Sequence, residues 1–156
     1  MTFVVHAFRA VEQAGIADLS GSLSGQVAVV TGRKDIAAER VYAPWADMEE
    51  EMRKRKMPLF SLETKTEIAA FDFVGFSLQY EMIYTNVLNM LDLAGIPLYA
   101  KDRGEDMPFI VGGGPCFYNV EPVADFFDFF IVGEGEEAIV EVSDAFMAWK
   151  KAGRPG

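Results

Sequence analysis

Cysteine, histidine and basic residues are all scarce in this sequence. Among 156 residues there is one cysteine and one histidine, and 14 Lys and Arg stand against 24 Asp and Glu, for a net charge of −10. A single cysteine excludes an internal disulfide and an all-cysteine metal site, and it agrees with a reducing cytoplasm as the place of work. A surface this acidic repels phosphate backbones and anionic lipid, so neither nucleic acid nor a membrane is an expected partner. No apolar run approaches the ~20 residues of a spanning helix. The opening MTFVVHAFRAVEQAG lacks the basic n-region and small-residue cleavage site of a secretory signal. Internal repeats and low-complexity tracts are missing too.

Apolar residues, at 51%, are abundant enough for one domain around a single core. The stretch 2–15 reads as a helix, with Phe3, Ala7, Ala10, Val11 and Ala14 roughly on one face. LSGSLSG is a loop by composition, and QVAVVTG (26–32) reads as a short buried strand or a helical turn. From there the pattern sharpens. ERVYAP (39–44) is β-rich and closes at Pro44. Residues 45–56 form a helix whose acids come early and bases late, as the helix dipole favours. FDFVGFS (71–77), PFIVG (108–112) and DFFIVG (128–133) are short apolar strands of the kind buried on both faces. Between them, residues 81–95 carry a helical apolar stripe with Gly95 as C-cap. Residues 134–153 begin acidic and end in two lysines and a glycine, a second helix of correct polarity. This alternation predicts an α/β domain with a mostly parallel sheet and helices on both faces. In such sheets ligands bind outside the carboxyl ends of the strands.

Three features fall at those ends. The first is GFSLQYE, where Ser77 leaves the sheet and Gln79 and Tyr80 add polar groups. Ser77 serves either as a ligand contact or as a cap for the next helix, and spacing alone favours the cap. The second is FIVGGGPCFYNVEP, with Gly112, Gly113 and Gly114 before Pro115. Three glycines imply a sharp turn, or close approach by a ligand or another stretch of backbone. No GK[ST] follows, so this is not a phosphate loop. The third is VGEGEE, in which Gly133 and Gly135 make a turn and Glu134, Glu136 and Glu137 open a helix. Capping is the simplest use of those acids, and gripping a ribose or positioning another domain is the other.

Taken in this order and spacing, VGFSLQ, VGGGPCFYNVEP and FFIVGEGEE resemble the cobalamin-binding-type domain that precedes the catalytic barrel of many radical S-adenosylmethionine enzymes. ERVYAPWADMEEEMR, PLFSLET and GFSLQYEMIYTNVLNMLDLAGIPL are similar to one uncharacterised bacterial branch of it. The resemblance covers about residues 32–153. It implies a Rossmann-like, flavodoxin-like three-layer domain, with residues 1–31 a divergent N-terminal segment and 154–156 the start of a linker to the catalytic domain. It also implies a cofactor rim built from Ser77, Leu78, Gln79, Gly112, Gly113, Gly114, Pro115, Gly133, Glu134 and Gly135, bordered by Phe117, Tyr118 and Asn119.

Two departures bound that expectation. Base-off cobalamin domains carry an Asp-x-His-x-x-Gly loop after the first strand, whereas the only histidine, His6, sits in VVHAFRA. No histidine ligand to cobalt is expected, and His6 reads as a surface or core residue. The first strand of the family is accordingly missing or replaced, and an unpaired sheet edge left by it invites a homodimer. The Cys-x-x-x-Cys-x-x-Cys motif is absent as well, and Cys116 alone cannot hold an iron–sulfur cluster. The cluster and S-adenosylmethionine are therefore expected in the catalytic barrel, this segment's partner, and no catalytic residue here. The expected function is a cobalamin-binding accessory domain. The alternatives are a module of the same shape that binds no cofactor and, last, a generic flavodoxin-like domain.

Overall fold

The computed structural model describes residues 4–10, 35–133 and 135–153. Five strands make one sheet: β1 (Val4–Ala10), β2 (Ile36–Tyr42), β3 (Phe73–Ser77), β4 (Phe109–Gly113) and β5 (Phe129–Ile131). Three helices accompany them: α1 (Ala46–Arg55), α2 (Tyr84–Leu93) and α3 (Gly135–Lys151). The strand order is β2-β1-β3-β4-β5, the order of flavodoxin-like folds. β3, β4 and β5 pair in parallel, while β1 pairs antiparallel with both of its neighbours. The α/β, Rossmann-like expectation therefore holds with one change, the direction of the strand at the centre.

That strand corrects the helix expected over 2–15, of which residues 11–15 lie outside the described set. Along Val4–Ala10 the apolar residues follow a period of two. Val5 and Ala7 join the core on one face and Phe8 packs on the other. Val5, Ala7 and Phe8 put apolar residues on both faces, and over one or two turns such spacing mimics a helical stripe. The first strand is thus replaced, not missing. The expected strand at 26–32 lies outside the described residues.

The open edge that motivated a homodimer is also closed on the β2 side. The Leu62 N–H donates to the Arg40 carbonyl at 2.7 Å. Glu63 accepts from the Arg40 N–H and from its guanidinium, each at 2.8 Å. A side chain that occupies the ladder groups of an edge strand blocks further pairing.

The helices behave as their sequences suggest. α1 ends with Lys56 in the left-handed region and Met57 N–H bonded to the Met52 carbonyl, a Schellman closure. α2 ends the same way at Gly95, with Ile96 N–H on the Leu91 carbonyl. The two pack one face of the sheet, where Met52, Val87, Met90 and Leu91 meet Val5, Val74, Phe76 and Ile110 in the main core. Burying a side chain such as Phe76 contributes roughly 1.5–3 kcal/mol. Among the described residues α3 covers the other face, stacking Phe146 edge-on against Phe73 and Phe109. Its last turn is anchored by Lys150 on Asp72 at 2.8 Å. The amino rim is fastened by Arg103, whose buried guanidinium donates to the carbonyls of Pro97, Leu98 and Phe126 and to Asp128.

Candidate functional site at the carboxyl rim

β3, β4 and β5 run in register, with Ser77 beside Gly113 and Gly113 beside Ile131. The three turns singled out in the sequence therefore leave the sheet side by side at one rim. β1 is the exception. Its amino end, at Val5, lies beside Phe76 at this rim, while its carboxyl end, at Ala10, lies beside Ile36 at the other. A loop following β1 starts on the wrong side of the molecule to reach the rim, and His6 lies within the strand.

The serine and glycine loops lock together. Leu78 N–H donates to the Gly113 carbonyl at 2.6 Å, and Cys116 N–H donates to the Leu78 carbonyl at 3.0 Å. Between these bonds Gly114 sits at φ +98° and ψ −175°, a region open essentially to glycine alone. A Cβ there would also meet the Leu78 carbonyl oxygen at 3.0 Å. Gly112 is used differently, since a Cβ on it would lie 2.4 Å from the Phe130 ring. The triple glycine thus answers two demands of the protein itself, a sharp turn and close approach by its own backbone and rings.

Gly113 alone of the three is free of such pressure, the nearest atom to a Cβ being the Ile131 carbonyl at 3.6 Å. It faces a narrow slot of about 60 Å³ between the sheet and α3. Gly75, Ser77 and Gly113 form the floor of this slot toward the rim. Phe73, Phe129 and Ile131 on the sheet, and Ile139 and Val142 on α3, form its walls. Ser143 also borders it, but its hydroxyl is bonded back to the Ile139 carbonyl at 2.6 Å. Apart from backbone, the slot therefore offers one free polar group, the Ser77 hydroxyl. Such a space accepts the edge of a flat, largely apolar or heteroaromatic group, not a whole drug-sized ligand of about 300 Å³ or more.

The other expected residues are spread around this slot. Ser77 does not cap a helix: the next helical turn starts at Glu81 after Tyr80, with no side-chain cap. Leu78 is buried in the main core, and Gln79 and Pro115 are exposed. Gly133 has φ +95° and open space around it, and Gly135 is the buried first residue of α3. Glu134 lies outside the described residues. Tyr118 and Asn119 are exposed, and the Tyr84 hydroxyl donates to the Asn119 carbonyl at 2.7 Å. Cys116 is buried beside Tyr84. Burial, with the charge of Glu81 behind it, pushes its thiol up, against the opposing effect of the Tyr84 hydroxyl. A thiol held protonated is neither nucleophile nor ligand. Among the described residues no cluster of three or more His, Cys, Asp or Glu is placed to hold a metal ion, and no helix is long and apolar enough to cross a membrane.

Sequence reasoning passed over Gly75, which sits mid-strand in FVGFS. A glycine inside an apolar strand was the available signal, because it marks a place kept clear of side chain.

Comparison with known proteins agrees with this geometry. The family described as "Radical SAM proteins, N-terminal" matches residues 27–155. The chain belongs to that family. A relative from Methanocaldococcus jannaschii, an uncharacterized protein, is 35% identical over 95 residues. The match covers 58% of this chain and 19% of the relative, so the chain spans about a fifth of that protein's length. No solved structure matches. Two glycines, one hydroxyl and apolar walls face the slot.

Proposed function

We propose that this radical SAM N-terminal domain is of the cobalamin-binding type, and that the slot between the sheet and α3 takes the edge of the flat base at the nucleotide end of a corrinoid. The observation that carries the reading is the floor of Gly75, Ser77 and Gly113, three small residues in adjacent strands on the face that α3 covers. The Ser77 hydroxyl is the polar group that would orient the base, and Gln79, exposed at the rim, would meet polar groups of the macrocycle. A bound corrinoid supplies a methyl group or an electron, while the protein supplies position and shielding. The iron–sulfur cluster and S-adenosylmethionine belong to the catalytic domain of the parent protein, because one cysteine cannot furnish three thiolates.

The test is to mix the purified chain with hydroxocobalamin, desalt it and record the visible spectrum. Retained corrin absorbance at one equivalent is expected. A colourless protein with a folded circular dichroism signal refutes the reading and leaves a second one. In that second reading the domain is a packing module without cofactor. The reversed β1, which carries the usual first loop away from the rim, and the use of Gly112 and Gly114 in the domain's own packing favour it.

A further inference from the structure

The four most exposed large apolar side chains among the described residues are Tyr118, Met82, Trp45 and Val132, at 87%, 83%, 77% and 64% of full exposure. Each follows the carboxyl end of a different strand: Trp45 after β2, Met82 after β3, Tyr118 after β4 and Val132 after β5. Scattered apolar residues on a surface need no explanation, but their concentration on one side marks an interaction face. At the β2 end the face deepens into a groove of about 420 Å³. Trp45, Met48 and Met52 line it from α1, with Leu59 and Leu62 across from them and Tyr42 at its end.

This groove is distinct from the slot beside α3. Trp45, Met48 and Met52 fall at i, i+3 and i+7, the apolar stripe of α1. Met52, at the far end of that stripe, is buried in the core, while Trp45 and Met48 are left open. Apart from Asp47, the charged residues of α1 are paired among themselves and with α2, through Arg53 on Glu49 and Asp92, Lys54 on Glu50 and Arg55 on Glu51. On a chain of net charge −10, the helix thus presents an apolar stripe whose first turn is left uncovered by the other described residues.

We infer that this groove seats an apolar projection of the catalytic domain of the parent protein, with Trp45 as the anchor. The inference rests on the reading of this chain as an accessory domain. It names the partner from two observations: the family is an N-terminal one, and four-fifths of the relative's length lies outside the match. Exposed tryptophan in a preformed depression is the commonest kind of interface anchor.

The test places p-benzoylphenylalanine at Trp45 of the full-length parent polypeptide, and at Asp106, exposed before β4 on the opposite rim, as the comparison. Irradiation should join position 45 to the catalytic domain of the same polypeptide and leave position 106 unjoined. Cross-links from 106 only, from neither position, or from 45 to a second copy of the domain overturn the inference. Trp45→Ser, at an exposed site that spares the fold, should speed proteolytic release of the domain by at least about tenfold; an unchanged rate also overturns it. Corrinoid retention by the isolated chain reads the slot and not the groove. A chain that binds hydroxocobalamin but fails the cross-link therefore sinks the docking alone, and a parent with no catalytic domain sinks the reading beneath it.

Discussion

The two faces of the sheet are built to different standards. Against α1 and α2, Val74, Phe76 and Ile110 join a continuous core in which even Gly112 is consumed, its missing side chain giving room to the Phe130 ring. Against α3, the alternate residues of the same strands include Gly75, Ser77 and Gly113, and a slot remains. Neighbouring residues of one strand point to opposite faces, so a single pentapeptide, FVGFS, contributes to both the packed face and the hollow one. Filling every space gives stability and leaves nothing for a ligand. A domain that does both must divide the tasks between faces.

Substitutions that probe each face sharpen the contrast. Phe76→Ala should cost about 3–5 kcal/mol in urea unfolding, as a large cavity in a packed core does, while Val142→Ala beside the slot should cost under about 1.5 kcal/mol. Equal losses would mean that the slot closes in solution.

The glycines give the next largest effect. Gly114→Ala should lose about 1–3 kcal/mol, because its backbone region excludes a Cβ and Leu78 stands in the way. Gly113→Ala should change stability by less than about 1 kcal/mol. If the corrinoid reading is right, Gly113→Leu should reduce hydroxocobalamin retention at least about tenfold while circular dichroism stays native. Retention unaffected by that change would move the ligand out of the slot.

The smallest effect concerns pH. The thiol of Cys116 is raised in the folded state, so the native protein holds its proton after the unfolded chain, near pH 8.5, has begun to release it. Stability from this group is intact below that pH and falls as pH rises toward the folded value. Urea midpoints measured from pH 7 to 9.5 should decline, and Cys116→Ser should flatten that decline. A steeper decline in the variant would assign it to other groups.

Much of this was legible in the letters. The β3–α2–β4–β5–α3 succession followed from short apolar runs alternating with helical stripes, and Gly95 was recognisable as a C-cap. The three rim turns were recognisable from Ser77, the glycine triplet and VGEGEE. The centre of the sheet was not, because the apolar residues of Val4–Ala10, which fall on both faces, satisfy a strand and a helical stripe alike. Nor were the separate duties of Gly112, Gly113 and Gly114 legible. Three identical residues differ only in which neighbours reach them, Phe130 for one, Ile131 for the next and Leu78 for the last.

By itself, the amino-acid sequence determined the element types, the parallel half of the sheet and the gathering of the turns, since these depend on local periodicity and on strand ends. The direction of β1, the closure of the β2 edge by Glu63, and the allotment of glycines between packing and open space were decided by tertiary structure alone. Each of those depends on which atoms from distant segments arrive at the same place, and no local pattern carries that information.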